Sequence, residues 1–458
     1  MSGQTAEAAS ATGAAPHPLR SDIVELARLA GPVVAGRVGM MAMGLTDAIV
    51  VGRYSAAQLG YHALAWAVAA TVMSLGLGLL SGVQVMASRA LGEGRPAEAG
   101  AVLRRGLVYS LWLGGAITAV LVAGGPALLR VLGLEGDLAE GATAPLIVFA
   151  ISMPGFTVSL ATASWLEGLG RTTPPNVLMW AANLVNLGID LVLVPGGFGL
   201  PAMGAVGAAI ATLTARAFLS VATLVYIARM KDARALGVFD RAPRDPPREI
   251  AQRRIGYAAG ASNLFEAGAF SSMNIIAGWL GPLAVAGWAV VLNIAALVFM
   301  VPWGIATGTA VMVARAYGAA NPAGMRRAAL VGLAMAALVG LLATLVVWLN
   351  AERLAMVYTT QPAAIALAAG GLVVASVFLL PDGLQVVTAQ ALRARGDVLA
   401  PTLTHLTSYL VLMMPLAWLL AIRLGHGLNG IVWACVIASF VSAILLAGRF
   451  WMLERRRR

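Results

Sequence analysis

The chain has 458 residues, 60% of them hydrophobic and 11% charged, with a net charge of +11 and a mean hydropathy of +0.84. No soluble globular chain has that balance, so its segments are read against a bilayer. A single cysteine excludes an intramolecular disulfide, and four scattered histidines offer no metal-ligand spacing.

A helix needs about 20 mostly apolar residues to cross the hydrocarbon core. Twelve spans meet this, near 30–52, 61–87, 106–132, 144–166, 177–195, 205–228, 255–281, 285–313, 328–350, 364–390, 402–422 and 429–449. Residues 1–24, opening "MSGQTAEAASATGAAPHPLR", have no apolar core and are expected to form a disordered cytoplasmic tail, not a cleavable signal peptide. Span 1 holds Pro32, whose missing amide proton favours a bend, and then Arg37, Met40, Met43 and Asp47. Arg37 lies about 13 Å deeper along the helix than Arg28 and is expected to snorkel towards the loops. Met40 and Met43 share a face with Asp47. Together with Trp66, Trp279, Trp288 and Trp303 they are a candidate lining for flat cations. "GLGLLSG" in span 2 lacks a lysine and a preceding strand, so it reads as close helix packing and not as a phosphate loop.

Span 5 carries Asn186 and Asp190, four residues apart and so on one helix face. Arg216 in span 6 is a candidate counter-ion for Asp190. A charged, proline-containing cytoplasmic linker covers 229–254. Span 7 brings Asn263 and Glu266 in "NLFEAGAF", and span 10 brings Asp382 and Gln385. Pro302, Pro381 and Pro415 are expected to be tolerated kinks in spans 8, 10 and 11. Residues 451–458, closing "ERRRR", form a basic cytoplasmic tail suited to anionic headgroups.

With the amino terminus inside, only Arg53, Arg130, Arg353 and Arg423 fall on the outer side of the membrane. This is the bias of a multi-pass membrane protein with both termini cytoplasmic, in a cell inner membrane. Topology therefore accounts for the basic excess, and no nucleic-acid partner is expected.

The chain also repeats. "RALGEGRPA" from Arg89 and "RAYGAANPA" from Arg315 are 226 residues apart, as are "LEGLGRTTPP" from Leu166 and "LRARGDVLAP" from Leu392. Gly82 with Gly308 and Gly204 with Gly430 keep that offset. The fold expected is an all-α integral membrane protein of two pseudo-symmetric six-helix bundles, at 25–228 and 255–450. An even helix number per copy makes the copies parallel, about an axis along the membrane normal.

Asp47, Asp190, Glu266 and Asp382 lie well inside spans, and at the same offset none meets another acid. A charge at the bilayer centre costs roughly 2.5–3.5 kcal/mol or more, so each acid should face a cavity or a partner. Either a bound sodium ion, which accepts carboxylate and amide oxygens, or a proton would neutralise them.

The order of motifs resembles the multidrug and toxin extrusion (MATE) family, NorM-type branch. It is carried by "LARLAGPVVAGRVGMMAMGLTDAIVVGR", "LGRTTPP…NLVNLGIDLVLV", "LFEAGAF" and "PDGLQVVTAQALRARGD", over nearly the whole chain from Glu25. The resemblance implies an antiporter that expels organic cations in exchange for Na+ or H+. By position, Asp47, Asn186 and Asp190, with Thr212 in "GAAIAT", match its amino-lobe acidic site. Glu266 and Asp382 match its carboxy-lobe cation site, where Na+ is the metal to consider, and Pro32 matches a conformational switch. Where some relatives carry a tyrosine one turn before the helix-10 acid, this chain has Phe378.

The expectation is a monomeric exporter, not an enzyme, with no cofactor beyond its coupling ion. Its partners are the lipid bilayer and an organic cation or drug-like molecule. The alternatives are a flippase of lipid-linked or other amphiphiles, expected to line its cavity with arginines, and an exporter of a neutral or anionic metabolite.

Overall fold

The computed structural model describes residues 19–131, 137–241 and 245–455. The first lobe comprises α1 (Leu19–Tyr54), α2 (Ala56–Gly92), α3 (Glu98–Val131), α4 (Asp137–Ile151), α5 (Met153–Gly168), α6 (Thr173–Leu193) and α7 (Gly204–Ala228). The second comprises α8 (Pro246–Leu280), α9 (Pro282–Gly318), α10 (Pro322–Met356), α11 (Pro362–Ala394), α12 (Leu399–His405), α13 (Met414–Trp418) and α14 (Gly427–Arg455). Helices α4 and α5 meet at 41° and together form span 4. Span 11 is irregular, with π-helical turns at Leu406–Met413 and Leu419–Arg423 on either side of α13. Pro415 has no N–H to offer the carbonyl four residues back, which explains why regular winding fails there.

Several sequence boundaries move. Residues 19–24, expected in the tail, are the first turns of α1, and Asp22 is buried. Residues 1–18 lie outside the described residues. The linker is shorter than expected, because Asp245 caps α8 by accepting from the Arg248 amide and residues 246–254 are helical. Residues 451–455 of the basic tail continue α14. By length and hydropathy, ten described helices qualify as membrane spans, or eleven counting the bent pair. The missing twelfth is α8, long enough at 35 residues but too polar. It is the helix of Glu266.

The duplication reappears as contacts. A Cβ on Gly82 of α2 would fall 2.0 Å from the Gln252 carbonyl of α8, and one on Gly308 of α9 would meet Leu26 and Leu29 of α1. Gly92 meets the Arg315 carbonyl, and Gly318 meets the Arg89 carbonyl. Each of these pairs maps onto the other by 226 residues, so the lobes touch across a true pseudo-two-fold axis. At Gly82, Gly92 and Gly318, where a carbonyl faces the glycine, only hydrogen fits, which lets the backbones close up.

The described hydrogen bonds and ion pairs between lobes lie at mid-depth or on the side of the bundle that carries the linker. Arg89 donates to the carbonyls of Ala394 (2.8 Å) and Arg393. Gln84 donates to the Thr307 carbonyl, Arg315 pairs with Glu25 at 3.1 Å, and Asp22 pairs with Arg327. On the opposite seam Arg248 pairs with Glu98. The linker itself docks on the first lobe, where Arg104 caps the Gly237 and Val238 carbonyls.

Candidate functional site

In the second lobe, α8 and α11 bring Glu266 and Asp382 to one cavity between the lobes. It holds about 840 Å³ of space, part of it open to solvent, and its walls include Asn263, Phe270, Phe299, Trp303, Phe378 and, from the first lobe, Ser74. Glu266 is half-buried and Asp382 buried, 4% exposed. The two lie within electrostatic range of each other. Gln385 donates Nε2 to Asp382 Oδ1 at 3.3 Å, as its spacing suggested. Asn263 instead reaches across to the Ser74 carbonyl, 3.2 Å away, and marks the lobe boundary.

Phe378 stacks edge-on against Phe270 and brings no oxygen. One arrives from elsewhere, since Tyr409, in the π-helical turn of span 11, is fully buried and lies in range of both Glu266 and Asp382. Helical periodicity does not point to Tyr409, because a π-turn shifts the face that a regular helix would present.

In the first lobe Asp47, Asn186, Asp190 and Thr212 do come together, all at 0% exposure. Thr212 donates its hydroxyl to Asp47 Oδ2 at 2.6 Å, and Asp190 faces Asp47 closely enough to interact directly. Both oxygens of Asp190 and the amide of Asn186 have no protein partner. Two ionised carboxylates so placed in a dry core repel each other, so a proton or small cation fits between them. Arg216 is not their salt-bridge partner. It donates to Ser152 Oγ (2.6 Å) and towards Met73 Sδ, and lies over the Trp66 and Phe156 rings.

The lining expected for flat cations divides. Met40, Met43 and Trp66 border a narrow cleft in the first lobe with Arg37, Arg216 and Glu167, and Trp303 borders the carboxy-lobe cavity. Trp288 is core and Trp279 is 65% exposed on the outer surface, so neither belongs to these two walls. Arg37 extends towards the loop end of α5, the expected direction, but meets protein there and not the loops. Its guanidinium lies 3.9 Å from Glu167 and over the Trp303 ring, where the two cavities meet. Glu167 was missed because it sits just past the edge of span 4. Its equivalent 226 residues on is Arg393, 3% exposed, which the sequence had counted with the loop cations. Pro32 and Pro302 lie within α1 and α9 as expected.

Comparison with known proteins agrees with this architecture. The MatE family model matches the chain twice, at residues 32–192 and 258–419, with starts 226 positions apart. A probable multidrug resistance protein NorM of Caulobacter vibrioides is 55% identical over 96% of this chain and 94% of its own. The multidrug resistance protein NorM of Vibrio cholerae is 27% identical over 96% and 97%. A crystal structure of MATE in the bent conformation has the same fold, with a TM-score of 0.86 at 23% identity over 96% of each chain. The chain is thus a multi-pass membrane protein that belongs to the MatE family, and its relatives named NorM are called multidrug resistance proteins.

Proposed function

We propose that the protein is a secondary antiporter, exporting organic cations or drug-like molecules in exchange for Na+ or H+ by alternating access. The observation that carries this reading is the convergence of Glu266 and Asp382 on a cavity bordered by both lobes, whose described inter-lobe ion pairs lie on the linker side. With that side cytoplasmic, in the inner membrane, the conformation is outward-facing. An ion entering at the acid pair cancels the charge that holds a cationic substrate, and the substrate leaves. The loaded carrier then rocks, with a bend at Pro32, and releases the ion inside. Such exchange requires that ion and substrate disfavour each other's binding.

The test is efflux of a fluorescent organic cation from proteoliposomes of the protein as a monomer, under a sodium or a proton gradient with the other clamped. Export driven by one gradient and abolished by Glu266→Gln is expected. If neither gradient moves any of a panel of cations, antiport of cations is wrong.

One observation favours a second substrate class. Arg216, 4% exposed, borders the amino-lobe cleft with no carboxylate in salt-bridge reach among the described residues. A buried guanidinium of this kind suits a substrate with an anionic group. Comparing efflux of a carboxylate-bearing dye with its methyl ester decides the point.

A further inference from the structure

The second lobe contains buried polar groups that the acid pair does not use. The Ser408 and Ser442 hydroxyls, both ring nitrogens of His405, and Nε and Nη2 of Arg393 lack a hydrogen-bond partner among the described residues, and the Tyr409 and Ser439 hydroxyls face only each other. All these residues are 3% exposed or less. Buried polar atoms are rarely left alone, and a cluster of them is a place for water or a passing ion.

Their arrangement has a direction. Tyr409 lies in range of Glu266 and Asp382 and faces Ser439. Its ring is 5.6 Å from His405, edge-on, and His405 in turn lies in range of Arg393. Ser439 and Ser442 are three residues apart on one face of α14, as are His405 and Ser408 on span 11. Asp382 and Arg393 are eleven residues apart on α11, about 16 Å, so the series descends from the acid pair to the linker side. There it ends beneath the inter-lobe seal, because the Arg393 and Ala394 carbonyls are the ones Arg89 holds from the other lobe. At the mouth Arg395 pairs with Glu454 and Arg449 with Asp397.

The first lobe does not repeat the series. At the 226-residue offset His405 becomes Met179, Ser408 becomes Ala182 and Ser439 becomes Leu213, while Tyr409, Ser442 and Arg393 become Asn183, Arg216 and Glu167. Its hydroxyl and imidazole members are thus particular to the lobe of the open acid pair. The π-helical turn that presents Tyr409 belongs to it.

We propose that this polar column is the linker-side path of the coupling ion, running from Glu266 and Asp382 past Tyr409, Ser439 and His405 to Arg393, and plugged by Arg89 while the lobes are closed. The Arg393 guanidinium is a barrier to a cation inside the column, so it must turn aside for the ion to leave. This rests on the antiport reading, since a column without ion exchange has nothing to carry.

The protein carries its own probe. Cys435, the single cysteine, stands one turn before Ser439 on α14 and in range of Asp382. Silver(I), a small monovalent cation, bonds to thiol sulfur and releases the thiol proton to water, with no redox change. Silver is presented to membrane vesicles with the linker face outward, and reaction is read as loss of later maleimide labelling of the denatured protein. Wild type is expected to be protected by silver. Cys435→Ala removes the signal, and Ser439→Cys in that background restores it. Arg393→Gln speeds the reaction several-fold, and Ile437→Cys, on the lipid side, stays unreactive. The proposal is overturned if wild type and the Ser439→Cys variant both label fully after silver, or if Ile437→Cys reacts as fast as they do. Because labelling is read without transport, a protein that moves no cation under any gradient overturns antiport separately from the column.

Discussion

The two lobes share one frame but place their acids differently. In the first lobe, Asp47 and Asp190 are sealed with Asn186 and Thr212 at 0% exposure. In the second, Glu266 and Asp382 face an open cavity and back onto a buried polar column. A sealed pair exchanges its neutralising ion only when the helices around it move. An open pair exchanges with the solution first. On the proposed antiport, this difference would give ion entry to the carboxy-lobe pair and make the amino-lobe pair a follower that responds to helix α1, where Asp47 and Pro32 both sit.

The largest effect should come from cancelling that difference. Asp382→Asn is expected to lower gradient-driven export about 5- to 150-fold, the range of ordinary coupling energies. Asp190→Asn is expected to act mainly through slower conformational exchange, with ion affinity nearly kept. Ion titration of both purified variants separates the two, and equal loss of ion affinity would break the assignment.

Next is the hinge region common to both lobes. A Cβ on Gly256 would fall 2.0 Å from the Leu79 carbonyl, and one on Gly82 as close to that of Gln252. Those are backbone atoms and cannot give way. Gly82→Val should hold the linker side open, exposing Ser439→Cys to thiol reagents without silver's size advantage. If the variant closes normally, as judged by cross-linking of paired cysteines across α2 and α8, the crossing is not a seal.

Most of the frame was legible in the sequence, and the reason is physical. Span length follows from bilayer thickness, and a duplicated contact needs the same small residue twice, as at Gly82 and Gly308. The four acids stood out because charge is costly at mid-membrane. Glu167, Arg393 and Tyr409 did not. The first two lie at helix ends, where a charge looks like part of a loop until the neighbouring lobe covers it. The π-turn then brings Tyr409 round to an acid that regular winding would have missed.

A smaller effect tests the sealed pair. Thr212→Val removes the one hydroxyl donated to Asp47 among the described residues and leaves a buried carboxylate short of one bond, a loss of about 1–3 kcal/mol if the carboxylate stays charged. Thr212→Ser should recover most of it. The measure is thermal unfolding in detergent at neutral pH, and no difference between valine and serine would mean that Asp47 takes its neutralising ion without help from α7.

The smallest effect lies outside the membrane, where the linker joins one lobe and not the other. Arg171 donates to both oxygens of Asp232, at 2.9 and 2.5 Å, and that hydrogen bonding holds the Asp232 carboxyl below its ordinary value. A lowered value means that the folded protein binds a proton there less readily than the unfolded chain. The tie therefore contributes fully above the ordinary aspartate range, near pH 4, and is lost as pH falls through the lowered value. Both side chains are more than a third exposed, and pairs of that kind contribute less than about 1 kcal/mol. Asp232→Asn should accordingly leave unfolding at pH 7 only slightly weaker and remove the acid-dependent part of the linker's attachment. Limited proteolysis within 229–241 with an acid-active protease, followed from pH 7 down to about pH 2, reads this out. A cleavage rate that rises on acidification equally in wild type and variant would mean that the linker is held to the first lobe by the Arg104 caps, the Gly100–Leu236 backbone bond and apolar packing, without the Arg171–Asp232 tie.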